Sequence, residues 1–238
     1  MENINQLESK SIEKSIINFI EKHKDGYTKE EIDFIKNNAL WPLYCKYTTS
    51  ILEEIYDELG ILPSDRNVYL QFLNMIDQLF GLDKNIIEIG AGKIPTLAKH
   101  ISLKQNSGTI TIYDNKILTS LEYPKKLIVK REKFSSNTLL KPYNLMIGFM
   151  PEDISYLMVQ EACKNKMDFI IGLSRLYYDY EEETYPDLLT ERQQDLVYKC
   201  QQEVKDAFGD DLKMAKITPS DYSTIPVIYY KKPKCKIS

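Results

Sequence analysis

Two acids and two glycines stand at a spacing that could bind a ligand. Glu88-Ile89-Gly90-Ala91-Gly92 puts a carboxylate two residues before a glycine pair, and Asp114 follows 22 residues after Gly92. Gly90 and Gly92 can take backbone angles closed to other residues and let a ligand come close to the main chain. Glu88 lies within an otherwise apolar run, where an unpartnered carboxylate is unfavourable and calls for a cationic or donor group. Asp114 ends a second apolar run, placed to accept from both hydroxyls of a ribose. The glycines and Asp114 alone suit any nucleotide; Glu88 adds a demand for a cation or a donor at the other end.

These residues need a strand, a sharp turn and a helix to hold them. Ile86–Ile89 is short, apolar and rich in β-branched residues, as a buried parallel strand is. Pro95 suits the first turn of the following helix, where its missing N–H costs nothing. A helix presents free N–H groups and its positive dipole end at its start. Further strands are expected at Thr109–Asp114, Leu127–Val129, Leu145–Gly148 and Phe169–Leu173, with a helix opened by Pro151-Glu152-Asp153. Strands alternating with helices over 85–174 imply βαβ units and a parallel sheet. A helix over roughly 188–208, stopped by Gly209, leads to Leu212–Ile217, a turn at Pro219-Ser220-Asp221, and Ile225–Tyr230, which read as an antiparallel hairpin.

The first eighty residues read as helices. Ile12, Ile16, Phe19 and Ile20 share one helical face. Gly26 ends that segment, and Thr28-x-x-Glu31 has the form of a capping box. Trp41-Pro42 breaks the chain. Ile51, Leu52, Ile55 and Leu59 form a third stripe closed by Gly60, and Ser64 can cap a fourth helix that Gly81 closes. We therefore expect a helical cap over 1–81 and a Rossmann-like domain over 82–238.

Composition narrows the classes. The 238 residues are 43% hydrophobic and 28% charged, ordinary for a globular protein that needs neither disulfides nor metals for its core. A net charge of -4 argues against a protein that lives on phosphate contacts, so nucleic-acid binding is unsupported. Cys45, Cys163, Cys200 and Cys235 form no CxxC pair, and His23 and His100 are the only histidines, so no metal site is expected. No apolar run spans a bilayer and no signal sequence is visible, which points to a cytoplasmic protein.

Glu88-x-Gly90-x-Gly92, Asp114 and the strand order through Tyr230 resemble the class I S-adenosylmethionine (SAM)-dependent methyltransferases. That resemblance implies a doubly wound, mostly parallel seven-stranded sheet with an antiparallel seventh strand beside the fifth, and SAM as cofactor. By carry-over, the cofactor-binding residues are Glu88, Gly90, Ala91, Gly92, Asp114, Asn115, Phe134 and Gly148. Glu88 would face the methionine ammonium, Asp114 the ribose, Phe134 the adenine and Gly148 the sulfonium. The chain departs from the family at Ile94, which replaces a third loop glycine, and at Lys133, where an acid is common. Gly148-Phe149-Met150-Pro151 lacks the Asn/Asp-Pro-Pro-Tyr signature of amino methylation on DNA bases. Pro95 stands where a dinucleotide loop has its third glycine, which speaks against an NAD-linked enzyme.

The expected activity is methyl transfer to an unassigned acceptor. The alternative is a non-catalytic SAM- or nucleotide-binding module. No catalytic residue is assigned; Asp153, Tyr177 and Asp179 are candidates for a base by position alone. The tyrosine-rich segment 175–185 and Trp41, Tyr44 and Tyr47 could line an acceptor pocket, but packing is the expected role. The basic tail 231–236 reads as a solvated terminus. Lys125, Lys126, Lys130, Arg131 and Lys133 read as a solvated sheet edge that discourages pairing.

Overall fold

The computed structural model describes residues 6–44, 50–63, 67–174, 176–177, 189–218 and 223–233. The sheet strands are β1 (Ile86–Ile89), β2 (Ile110–Tyr113), β3 (Leu127–Lys130), β4 (Leu145–Phe149), β5 (Asp168–Gly172), β7 (Lys213–Ile217) and β8 (Ser223–Tyr230), and a two-residue β6 (Leu176–Tyr177) pairs with the start of β8. The order is β3-β2-β1-β4-β5-β8-β7. Its first five strands are parallel, and β8 enters antiparallel between β5 and β7. This is the expected Rossmann-like sheet, with the C-terminal hairpin inserted beside the fifth strand. The hairpin turn at 219–221 falls outside the described residues.

The sheet divides the core into two layers because alternate side chains of a strand point to opposite faces. Ile86 packs on one face with α5 (Val68–Phe80) and α6 (Thr96–Lys104). Ile87 and Ile89 pack on the other with α7 (Ser155–Lys164) and α8 (Glu191–Phe208). Covered on both sides, β1 is buried throughout, which is why it reads as a continuous apolar run. The edge strand β3 has Leu127 inward and Ile128 exposed.

Helix–strand alternation is less complete than expected. The crossovers 114–126 and 131–144 contain no helix. The first is 13 residues long, enough to return the chain to a parallel neighbour without one. It is occupied otherwise: Ile117 packs on the sheet cluster, and Leu118 packs among the N-terminal helices. Gly26 makes room for this, since a Cβ there would lie 2.0 Å from Leu118 Cδ2.

The N-terminal helices are α1 (Gln6–His23), α2 (Lys29–Asn38), α3 (Trp41–Tyr44) and α4 (Ser50–Glu58). Ile16, Phe19, Ile20, Ile35, Leu52, Ile55 and Tyr56 form a third apolar cluster, which also takes in Ile94 and Leu118. The capping box at α2 forms in both directions, Glu31 N donating to Thr28 Oγ1 at 3.2 Å and Thr28 N to Glu31 Oε2 at 2.7 Å. Pro42 does not stop helical structure; it sits in the first turn of α3. Ser64, the expected cap of α5, lies outside the described residues. The cap is Asn67, whose side chain accepts from Leu70 N at 3.0 Å. α5 packs wholly within the sheet cluster, through Val68, Phe72, Leu73 and Ile76. α8 carries a second reciprocal capping box, Thr190 with Gln193, and ends at Gly209 in the left-handed conformation. Among the described residues, no helix is long and apolar enough to cross a membrane.

Candidate functional site

β1 delivers Glu88 and the glycine turn to the carboxyl edge of the sheet, and α6 starts just beyond. Gly90 and Gly92 both have positive φ, +72° and +75°, so the turn is closed to residues with a Cβ except at a strain cost. Gly90 N donates to Tyr113 O at 3.1 Å, fixing the turn to the end of β2. A Cβ on Gly90 would meet Pro151 Cβ at 3.0 Å, so the turn also abuts the loop after β4. In that loop Met150 holds φ +51°, an uncommon conformation for a residue with a side chain. Backbone strain of this kind gathers at ligand sites.

Three carboxylates lie about the turn, and two of them take its donors. Gly92 N donates to Asp114 Oδ2 at 3.0 Å, and Lys116 N to Asp114 Oδ1 at 2.7 Å. Ile94 N donates to Glu54 Oε2 at 3.3 Å. The Ala98 amide, in the first turn of α6, acts on the Glu88 carboxyl from nearby. Gly92 N and Ile94 N, two amides expected to face a ligand, are thus bonded to the chain's own acids. Asp114 keeps further acceptor capacity, because each carboxylate oxygen can take a second hydrogen bond.

Glu88 is 2% exposed, and its Oε2 has no hydrogen-bond partner. Burial pushes its pKa up to about 8, with the nearby Asp114 charge adding to the rise and the Ala98 amide opposing it. Glu54, on α4, was not singled out from sequence. Burial likewise raises it to about 8, against the Ile94 hydrogen bond, with Asp114 and Glu53 pushing the same way. Its Oε1 would lie 2.5 Å from a Cβ on Gly92, so Gly92 is the residue that admits it. Only the Glu53-Glu54 pair beside the apolar stripe of α4 marks it in the sequence, and an exposed helix face looks the same.

A cavity of about 360 Å³ opens beside the turn, lined by Gly90, Tyr113, Asp114, Asn115, Lys116, Lys133, Phe134, Pro151, Asp153 and Ile154. Four of the eight expected site residues, Gly90, Asp114, Asn115 and Phe134, meet there. Glu88 and Gly92 are not part of this lining, Gly92 facing Glu54 instead, and Ala91 packs against the sheet cluster. Gly148 does not end its strand, since β4 continues through Phe149. It is buried, and a Cβ there would meet Met158 Cε at 2.7 Å and Pro151 Cγ at 3.1 Å. Tyr113, Pro151 and Ile154 were missed because a strand end and a loop converge there only in three dimensions.

A larger groove of about 680 Å³ adjoins, between the starts of α7 and α8, and shares Asp153 with the first cavity. Ser155, Ser174, Thr190, Arg192 and Lys199 make it polar. Asp153 there is highly exposed and paired with Arg192 at 2.5 Å. Asp179 and the side chain of Tyr177 lie outside the described residues, as do Tyr47, the side chain of Tyr44 and most of 175–185. Trp41 packs on Phe34, ring centroids 6.1 Å apart.

The remaining polar residues have structural partners. His100 Nε2 lies 2.9 Å from Asp57 Oδ1 and ties α6 to α4. His23 meets Ser120 at 2.6 Å. Lys126 and Arg131 donate to the carbonyls of Gln105 and Leu118, so that part of the basic cluster braces loops. Lys231, in the basic tail, donates to Leu79 O and lies over the Phe80 ring, so the described start of the tail is tied down. Cys163 and Cys200 are free and buried, with thiol pKa values pushed up to about 12; Cys45 and Cys235 lie outside the described residues.

No family model matches this chain, and no curated protein sequence matches it. Among solved structures it is similar to magnesium protoporphyrin IX methyltransferase from Synechocystis PCC 6803 with bound SAH (9% identity, 84% of this chain and 97% of that one, TM-score 0.46). It is also similar to precorrin-6y C5,15-methyltransferase from Geobacter metallireducens GS-15 (11%, 72% and 91%, 0.45) and to human N-acetylserotonin methyltransferase in complex with SAM (10%, 93% and 68%, 0.43). The strand order of this chain by itself defines the fold: a Rossmann-like, mostly parallel sheet whose antiparallel last strand lies beside the fifth.

Proposed function

We propose that the chain binds SAM at the glycine turn and transfers its methyl group to an acceptor. The observation that carries this reading is the set of carboxylates on the turn. Asp114 takes the Gly92 amide and Glu54 the Ile94 amide, and Glu88, buried in β1 just before the turn, keeps one oxygen without a partner. A diphosphate would find the Gly92 and Ile94 amides already taken and would have to bring further acceptors beside three carboxyl groups. A ligand with a cationic amino-acid end and a ribose meets acceptors at both. The cavity size falls in the range of small-molecule sites, roughly 300–1,000 Å³.

Bound SAM would supply an electrophilic methyl sulfonium. The residues here would bind and orient it: Asp114 and Asn115 at the ribose, Phe134 at the adenine, Glu88 toward the ammonium. Pro151 and Ile154 close the apolar wall and exclude water. The polar groove at the starts of α7 and α8 is the proposed acceptor side, because Asp153 lines both spaces. Transfer then depends on alignment, which alone can supply a large share of a barrier. We further propose that α1–α4 act as a cap over the turn, since Ile94 belongs to their apolar cluster.

Titration calorimetry tests the reading. SAM and S-adenosylhomocysteine (SAH) should each give binding heat and NADH none. No heat with either adenosyl ligand at high protein concentration sinks it. The second reading, a binding module without transfer, is favoured by the ion pair that holds Asp153. Label passing from methyl-labelled SAM into a cell extract separates the two.

A further inference from the structure

The cap contributes more than cover. We propose that Glu54 is a cofactor-binding residue, which takes the protonated amine of the cofactor's amino-acid end on the cap side of Gly92, with the Tyr27 hydroxyl beside it for the carboxylate. The proposal rests on the SAM reading of the turn.

Glu54 reaches from α4 to the turn itself, within hydrogen-bond distance of Ile94 N and directly over Gly92. Among the described residues no cation pairs with it. Lys93, whose charge reaches it, is committed elsewhere: to Glu31 at 3.0 Å and to Gly26 O at 2.6 Å. An acid that is poorly solvated and has no counter-ion is unfavourable unless a cation arrives.

Tyr27 is the independent observation. It is 8% exposed, its hydroxyl has no hydrogen-bond partner, and Glu54 is the foremost charge acting on it. A buried hydroxyl without a partner is uncommon, because losing its hydrogen bond to water is not repaid. The Lys93 ammonium lies 4.9 Å from the Tyr27 ring and fixes the ring against the turn. Tyr27 thus borders Lys93 and Glu54 borders Ile94, the two residues after Gly92, and a donor with an acceptor is the pairing a zwitterionic amino acid requires. Glu88 supplies a second acceptor from the strand side, and Asp114 acts on both acids.

The test compares SAH with 5′-methylthioadenosine, which keeps adenosine and sulfur but lacks the amino-acid end. In Glu54→Gln, SAH affinity should fall at least tenfold, while 5′-methylthioadenosine affinity should stay within twofold of the parent. Gln still accepts from Ile94 N, so a merely structural role would move both ligands together or neither, and either result overturns the proposal. Should Glu54→Gln not fold, Tyr27→Phe decides: a selective threefold to fivefold loss for SAH supports it, and an equal effect on both or no effect overturns it. Failure of the unmodified protein to bind SAM, SAH or 5′-methylthioadenosine would instead remove the SAM reading on which it rests.

Discussion

Glu88 carries a stability penalty at the position where a cofactor role is proposed for it. Its pKa, raised to about 8 from an ordinary 4.5, means that the folded chain holds a proton where the unfolded chain has lost it. Stability therefore falls as pH rises from about 4.5 to about 8, and levels off above that. Glu54 adds a contribution of the same sign and window. Glu88→Gln should raise stability at pH 8 by on the order of 1–2 kcal/mol, because no buried charge then has to form. It should flatten the slope of urea stability against pH and also abolish SAM binding, so a variant that gained stability but still bound SAM would refute the role given to Glu88. Binding an ammonium favours the ionised acids, so SAH binding at pH 7 should release protons. Calorimetry in buffers of different ionisation enthalpy measures that release. Gly92→Ala should cost roughly 1–2 kcal/mol for its left-handed backbone alone. It should also lower SAH affinity, because the added Cβ displaces Glu54.

At the scale of elements, the cap is stapled to α6 and the turn by polar ties. Lys93 pairs with Glu31, Lys99 with Glu58, and His100 with Asp57. Lys93 is more enclosed than Lys99 or His100, with a side chain 15% exposed, and it also meets Gly26 O and the Tyr27 ring. Lys93→Met should destabilise the cap by about 1–3 kcal/mol, the usual range for a charged hydrogen bond lost with its partner left behind. Trp41 is the single tryptophan and sits in the cap, so its fluorescence reports on the cap alone. In Lys93→Met the fluorescence transition in urea should come earlier than the transition in far-ultraviolet circular dichroism. Coincident transitions would mean that the cap does not unfold separately.

Across the whole molecule, the proposed roles of α1–α4 and Glu54 require ligand binding and docking of these helices to be coupled, since Glu54 lies on α4 and Gly92 in the turn after β1. SAH at one hundred times its dissociation constant should stabilise the fold by about 2.7 kcal/mol. Hydrogen exchange should slow in α2 and α4 as well as at the turn; protection confined to the turn would count against the coupling. The sequence by itself determined the sheet. Apolar runs at Ile86, Leu145 and Phe169 must be buried on both faces, and the Thr28 cap is a local hydrogen bond that needs only neighbouring residues. It also marked Glu88, Gly90, Gly92 and Asp114, because a strand, a turn and the next strand end lie close along the chain. It left Glu54 and Tyr27 among ordinary helix and loop residues, and it did not show which cluster the α5 side chains join. Only the tertiary structure decided those. Glu54 meets Ile94 across 40 residues of chain, and whether a carboxylate on an amphipathic helix faces water or a glycine turn is set by how that helix docks.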